Sequence, residues 1–181
     1  MQRNVNGVTI ECVQGDIVAQ PDMEAIVNAA NAQLQSGGGV AGAIHRAAGP
    51  ALARECAPLA PISPGEAVIT SGQALPNRRV IHCLGPVYGQ DEPADALLAE
   101  CYRNALRLAE DKGIRSMALP ALSTGAFGYP VDEAADLALR TIVEQTPQLQ
   151  SLRHLRFVLF SSADRDVHAE SLARACGRIP E

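Results

Sequence analysis

Two glycine-bearing loops hold the residues whose types and spacing could do chemistry. SGGGVAGAIH, residues 36–45, sets Gly37, Gly39 and Gly42 in the order G-x-G-x-x-G ahead of a helix-like stretch. LSTGAFGYP, residues 122–130, places the Ser123 and Thr124 hydroxyls beside Gly125 and Gly128, between the strand-like SMALPA and a helix beginning at Val131. Backbone without Cβ lets several N–H groups converge on an oxyanion, and the N-terminus of a following helix adds partial positive charge. Two such loops at the carboxyl ends of strands could clamp a diphosphate between them; as tight turns alone they need no ligand.

The first loop does not read as a dinucleotide fingerprint. Such a fingerprint sits directly between a strand and a helix, with an acidic residue about 20 positions later at the end of the next strand. Here AIVNAA ends about seven residues before Gly37, and Glu55 falls near the end of the helix instead. No Lys follows a glycine as a phosphate-binding P-loop requires. The misplaced pattern argues against a nucleotide-dependent oxidoreductase.

Other polar residues stand where an apolar core has no use for them. Asp16 follows Gly15 after the first strand, and Asn28 and Asn31 bracket the end of the second. A carboxylate can accept a hydrogen bond from an exocyclic amino group, and an Asn amide offers donor and acceptor to a ribose diol. As turn or cap residues the same side chains would serve only local backbone. His82 beside Cys83 reads as a core histidine, because adjacent strand residues point to opposite faces and cannot form a Cys–His nucleophilic pair. His45 lies four residues past Ala41 on the helix, facing either cleft or core. Ser123 lacks a G-x-S-x-G setting and reads as a phosphate donor, not a nucleophile.

Six apolar runs read as the strands that would position these groups: residues 8–13, 25–30, 67–72, 79–84, 116–121 and 156–161. Helical spacing runs over 40–56, 94–113 and 131–145, and DVHAESLARACG, residues 166–177, closes the chain as a fourth helix. Strands buried on both faces and separated by helices predict a layered α/β domain. With 47% hydrophobic residues, 19% charged and no shift in composition, residues 1–181 read as one domain. A net charge of −5 argues against duplex nucleic acid as partner. Five scattered cysteines without ligand spacing suggest reduced thiols, no metal and a cytoplasmic protein. MQRNVNGVTIEC lacks the apolar region of a signal peptide, and no run is long enough to predict a membrane span.

Taken together, GDI at 15–17, IVNAAN at 26–31, SGGGVAGAIHRAAGP at 36–50, VIHCLGPVY at 80–88 and LPALSTGAFGYP at 119–130 resemble a macrodomain of the MacroD-type branch. The resemblance implies a three-layer α/β/α sandwich with a mixed, mostly parallel central sheet, binding ADP-ribose at one end of the strands. It implies that Asp16 takes the adenine amino group, with the Ile17 backbone nearby. Asn31 would hold the distal ribose and serve catalysis, flanked by Gly37, Gly38, Gly39 and Val40. Ser123, Thr124, Gly125, Ala126 and Phe127 would cradle the diphosphate, with Phe127 against the distal ribose. Family members hydrolyse ADP-ribose esters with water, acting on mono-ADP-ribosylated proteins or O-acetyl-ADP-ribose without a cofactor, while some only bind.

Two departures from the family pattern stand out. Hydrolytic members usually read GGGVDG, with an aspartate where this chain has Ala41. Relatives also tend to carry an aromatic where this chain has Ala163, next to Asp164, which is placed to cap the following helix. The first departure weakens the expectation of hydrolysis, and the second weakens the expected grip on adenine.

Overall fold

The computed structural model describes residues 1–177; the last four residues of the expected 1–181 domain lie outside the described residues. Seven strands form one sheet: β1 (Gln2–Val5), β2 (Val8–Gln14), β3 (Ala25–Ala29), β4 (Ala67–Ser71), β5 (Arg79–Cys83), β6 (Ser116–Leu119) and β7 (His154–Leu159), in the spatial order β1-β2-β7-β6-β3-β5-β4. The inner strands β2, β7, β6, β3 and β5 run parallel, and β1 and β4 close the two edges antiparallel. All the parallel strands therefore deliver their carboxyl ends to one side of the molecule.

Period-two alternation sorts the two faces. On β7, Leu155, Phe157 and Leu159 join one core while Val158 joins the other. The first core is covered by α3 (Ala94–Asp111), α4 (Val131–Gln145) and α5 (Ser162–Cys176). The second is covered by α1 (Gly39–Ala48) and α2 (Ala51–Cys56), through Ile44, Ala48, Leu52 and Cys56. This is the layered α/β domain that the strand and helix pattern predicts, in the form of the three-layer α/β/α sandwich with a mixed, mostly parallel sheet that the family resemblance implies. Among the described residues no helix is long and apolar enough to cross a membrane.

Three boundaries differ from expectation. The strand β1 is not among the six predicted, because Val5 is its only buried residue and no periodicity marks it. It is joined to β2 by Asn6-Gly7, both at positive φ (53° and 83°), a pairing that favours a tight hairpin. The predicted helix over 40–56 is two helices, α1 and α2, parted at Gly49-Pro50, where Gly49 has φ of 83°. The last helix begins at Ser162 rather than Asp166; its cap is Ser161, whose hydroxyl accepts from the Asp164 backbone N–H at 3.1 Å. Asp164 therefore lies in the first turn and is not the cap.

Candidate functional site

A cleft of about 920 Å³ opens across the carboxyl ends of the parallel strands, where ligands gather in open α/β sheets. The loop after β2 contributes Asp16 and Ile17, the segment after β3 contributes Asn31, Gly37, Gly38, Gly39 and Val40, and the loop after β6 contributes Ser123, Thr124, Gly125, Ala126 and Phe127. Every residue to which the family resemblance gives a ligand-binding role thus lines one cavity. Asn28 does not: it is buried and faces the layer beneath α1.

The first glycine loop leads straight into α1, whose N-cap is Gly38 with no side-chain cap. The first N–H groups of a helix have no intrahelical partner, so Gly39, Val40 and Ala41 present free donors and the positive end of the helix dipole to the cleft. Gly42 holds this arrangement together by close approach. A Cβ there would overlap the Gly37 carbonyl oxygen, so the helix can lie on the loop backbone only without one. Asn31 braces the preceding turn from the other side: its Oδ1 accepts from Gln35 N at 3.0 Å and its Nδ2 donates to Gln35 O at 2.8 Å. One N–H and one lone pair of that amide remain for a ligand.

The second loop is held at its ends and open in its middle. Tyr129 N donates to Ser123 O at 2.9 Å, and Tyr88 N donates to Phe127 O at 2.8 Å. Thr124, Gly125, Ala126 and Phe127 donate to no backbone carbonyl among the described residues. Ser123 adopts φ of 66°, the left-handed region that non-glycine residues rarely enter, and its buried Oγ has no hydrogen-bond partner among the described residues. Strain of this kind concentrates where a loop is shaped for a ligand. N–H groups without backbone acceptors, on two loops that line one cleft, suit an anion with several oxygens.

The two histidines lie behind the cleft, not in it. His82 accepts from Asn28 Nδ2 at Nδ1 (3.0 Å), which leaves its proton on Nε2, within 2.9 Å of Thr70 Oγ1 and 3.7 Å of Cys56 Sγ. Burial pushes His82 down to about 4, so it is neutral at physiological pH. His45 is also buried, and burial lowers its pKa; of its two expected orientations the structure shows the core-facing one. Cys83 faces the opposite layer, its thiol raised well above the usual range by complete burial. No thiolate nucleophile arises from this pair.

A family model described as "Macro domain" matches residues 27–138. The chain belongs to the macro domain family. A macro domain-containing protein of Chlorobaculum tepidum is 45% identical over 169 residues, which cover 93% of this macrodomain and 98% of that protein. The Oceanobacillus iheyensis macrodomain solved with ADP superposes with a TM-score of 0.94 at 42% identity, covering 99% of this chain and 97% of that one. A Trypanosoma brucei macrodomain in complex with ADP-ribose gives a TM-score of 0.81 at 38% identity, over 89% of this chain and 68% of that one.

Three further residues of the macrodomain cleft escape a reading of the sequence. Phe160 follows the last residue of β7 and is 93% exposed, at the end of the cleft that also holds Asp16 and Asp164. Its apolar character puts it inside the predicted strand 156–161, and only the chain's exit from the sheet turns its ring outward. Arg46 is the one cationic side chain lining the cleft among the described residues, on α1 beside the first glycine loop. Gly85, just past β5, floors the second loop. Acid at one end and cation at the other give the cleft a direction.

Proposed function

We propose that this macrodomain binds ADP-ribose and hydrolyses ADP-ribose esters, with water as nucleophile. The observation that carries the reading is the pair of loops offering unpartnered N–H groups to one cleft, with Asp16 and Phe160 at its far end. Two facing sets of backbone donors fit a diphosphate. The carboxylate of Asp16 accepts from the adenine amino group beside the Ile17 backbone, and the exposed Phe160 ring offers a stacking face for the purine. Phe160 thereby supplies the aromatic surface that Ala163 cannot.

At the other end the remaining N–H and lone pair of Asn31 engage the distal ribose, with Phe127 packed against it and Arg46 close by. Both glycine loops fix the substrate so that water reaches the ester. The cleft's carboxylates, Asp16 and Asp164, lie at the adenine end, so positioning and the substrate's own phosphate do the activating. Substrates of this class are mono-ADP-ribosylated proteins and O-acetyl-ADP-ribose.

The alternative is a reader that binds ADP-ribose without turnover, and Ala41, where hydrolytic relatives carry aspartate, favours it. Release of ADP-ribose from O-acetyl-ADP-ribose and from a glutamate-linked mono-ADP-ribosylated protein, by wild type and Ala41→Asp, decides between them. Wild-type turnover supports the hydrolase. Binding without turnover, with activity gained only by the variant, identifies a reader; no binding by either rejects both readings.

A further inference from the structure

The Asp16 loop is tied to the sheet through one side chain. Gln20, only 7% exposed, donates from Nε2 to the Asp16 carbonyl at 2.9 Å and accepts at Oε1 from Arg156 Nη1 at 2.8 Å. Arg156 stands on β7 in register with Glu11 of β2 and bonds its carboxylate through Nε at 2.6 Å. The same guanidinium grips Asp22 with both terminal nitrogens, at 2.9 and 2.8 Å. His154 reaches the same Glu11 oxygen at 2.8 Å, and Asn77 Nδ2 donates to the carbonyls of Gln20 and Met23 at 2.8 Å each. The far end of the loop is therefore fixed independently of Gln20's amide.

We propose that Gln20 is a positioning residue for base specificity: it is a strut from β7 to the Asp16 peptide that holds the Asp16 carboxylate at the angle that reads an exocyclic amino group. The inference rests on the ADP-ribose reading above. A side-chain amide donates at one terminal atom and accepts at the other while staying neutral. Here it joins a carbonyl acceptor to a guanidinium donor. Among the described residues the Asp16 side chain is otherwise held only by accepting from Val18 N at 3.1 Å, a bond internal to the loop. A strut anchored in two central strands converts a flexible turn into a fixed one, and fixed geometry is what lets a single hydrogen bond discriminate.

The test uses the whole chain, two ligands and two variants. ADP-ribose carries an exocyclic amino group on its purine; inosine diphosphate ribose has a carbonyl oxygen there, which a carboxylate repels. Calorimetry should show wild type preferring ADP-ribose by roughly 10- to 100-fold, the scale of one hydrogen bond to a charged group. Gln20→Glu keeps the bond from Arg156 but sets an oxygen against the Asp16 carbonyl, and Gln20→Met removes both bonds at similar volume. Each should cut the preference to within about threefold, chiefly by weakening ADP-ribose, with inosine diphosphate ribose little changed.

If both ligands weaken together and the preference survives, Gln20 is merely structural and the inference is overturned. It is overturned equally if neither ligand weakens, or if wild type shows no preference. Should wild type bind neither ligand, the ADP-ribose reading itself falls and this inference with it.

Discussion

The α-carbon of Gly85 rests against the hydroxyl of Ser123, so closely that a Cβ at position 85 would overlap Oγ and lie 3.3 Å from the Ser123 Cβ. The two residues follow different strands, β5 and β6, and meet only at the floor of the cleft. Ser123 is also held at φ of 66°, so it cannot step back without moving the loop that carries Thr124 to Phe127.

Gly85→Ala therefore pushes on the anion loop from beneath. We expect a stability loss of about 1–3 kcal/mol, as for other overpacked sites, and weaker ADP-ribose binding. Adding Ser123→Ala removes the colliding oxygen and should restore most of the stability, because contacting sites are not additive. Chemical denaturation of the two single variants and the double variant checks this; strictly additive losses would mean the contact is not the cause.

Neighbouring glycines of the first loop should behave in opposite ways. A Cβ at Gly38 meets nothing within 4 Å, and its backbone conformation suits any residue. Gly38→Glu should leave stability within about 0.5 kcal/mol of wild type while costing at least about 2 kcal/mol of ADP-ribose affinity through like charge. Gly42→Ala gains about 1 kcal/mol of helix propensity. That gain is outweighed by overlap with the Gly37 carbonyl, which no side-chain rotation relieves. Melting curves and calorimetry on both variants check the contrast, and an unfolded Gly38→Glu or a stabilised Gly42→Ala would contradict it.

Phe160 can be removed without touching the core, since it is 93% exposed. Phe160→Ala should reduce affinity for ADP-ribose by roughly 1–3 kcal/mol, the range found for aromatic–base stacking, with the melting temperature unchanged. Ribose 5-phosphate, which has no base, serves as control and should bind both proteins alike. Equal loss for both ligands would place the purine elsewhere.

Much of this site is legible in the sequence because its signals are local. A glycine loop with hydroxyls between an apolar run and a helix keeps its meaning wherever it is placed, so both loops, Asp16 and Asn31 stand out before any fold is known. What cannot be read depends on register or on where an element ends. Gln20 gains its role only because β2 and β7 pair Glu11 with Arg156. Phe160 is apolar like the strand before it, and one residue decides between core and solvent. Asn28 and His82, on separate strands, become a buried pair only through the β3–β5 register. The edge strand β1 faces solvent along most of its length, so its one legible sign is the Asn-Gly turn.

The buried His82 makes stability depend on pH in a defined direction. Its ordinary value of 6.5 falls to about 4 in the native state because burial penalises the charged ring. Above pH 6.5 the ring is neutral in both folded and unfolded chains and the shift has no effect. As pH falls below 6.5 the unfolded chain takes up a proton that the native chain refuses until about 4, so stability is lost across that window. The full shift corresponds to about 3 kcal/mol. His45 and His168, also lowered by burial, act in the same direction. Urea midpoints measured from about pH 7.5 to about 4.5 should fall steadily below the ordinary histidine value, and more gently in His82→Gln, which retains a polar partner for Asn28 and Thr70. A wild-type midpoint constant across that range, or an identical slope in the variant, would show that His82 titrates normally and is not buried as a neutral ring.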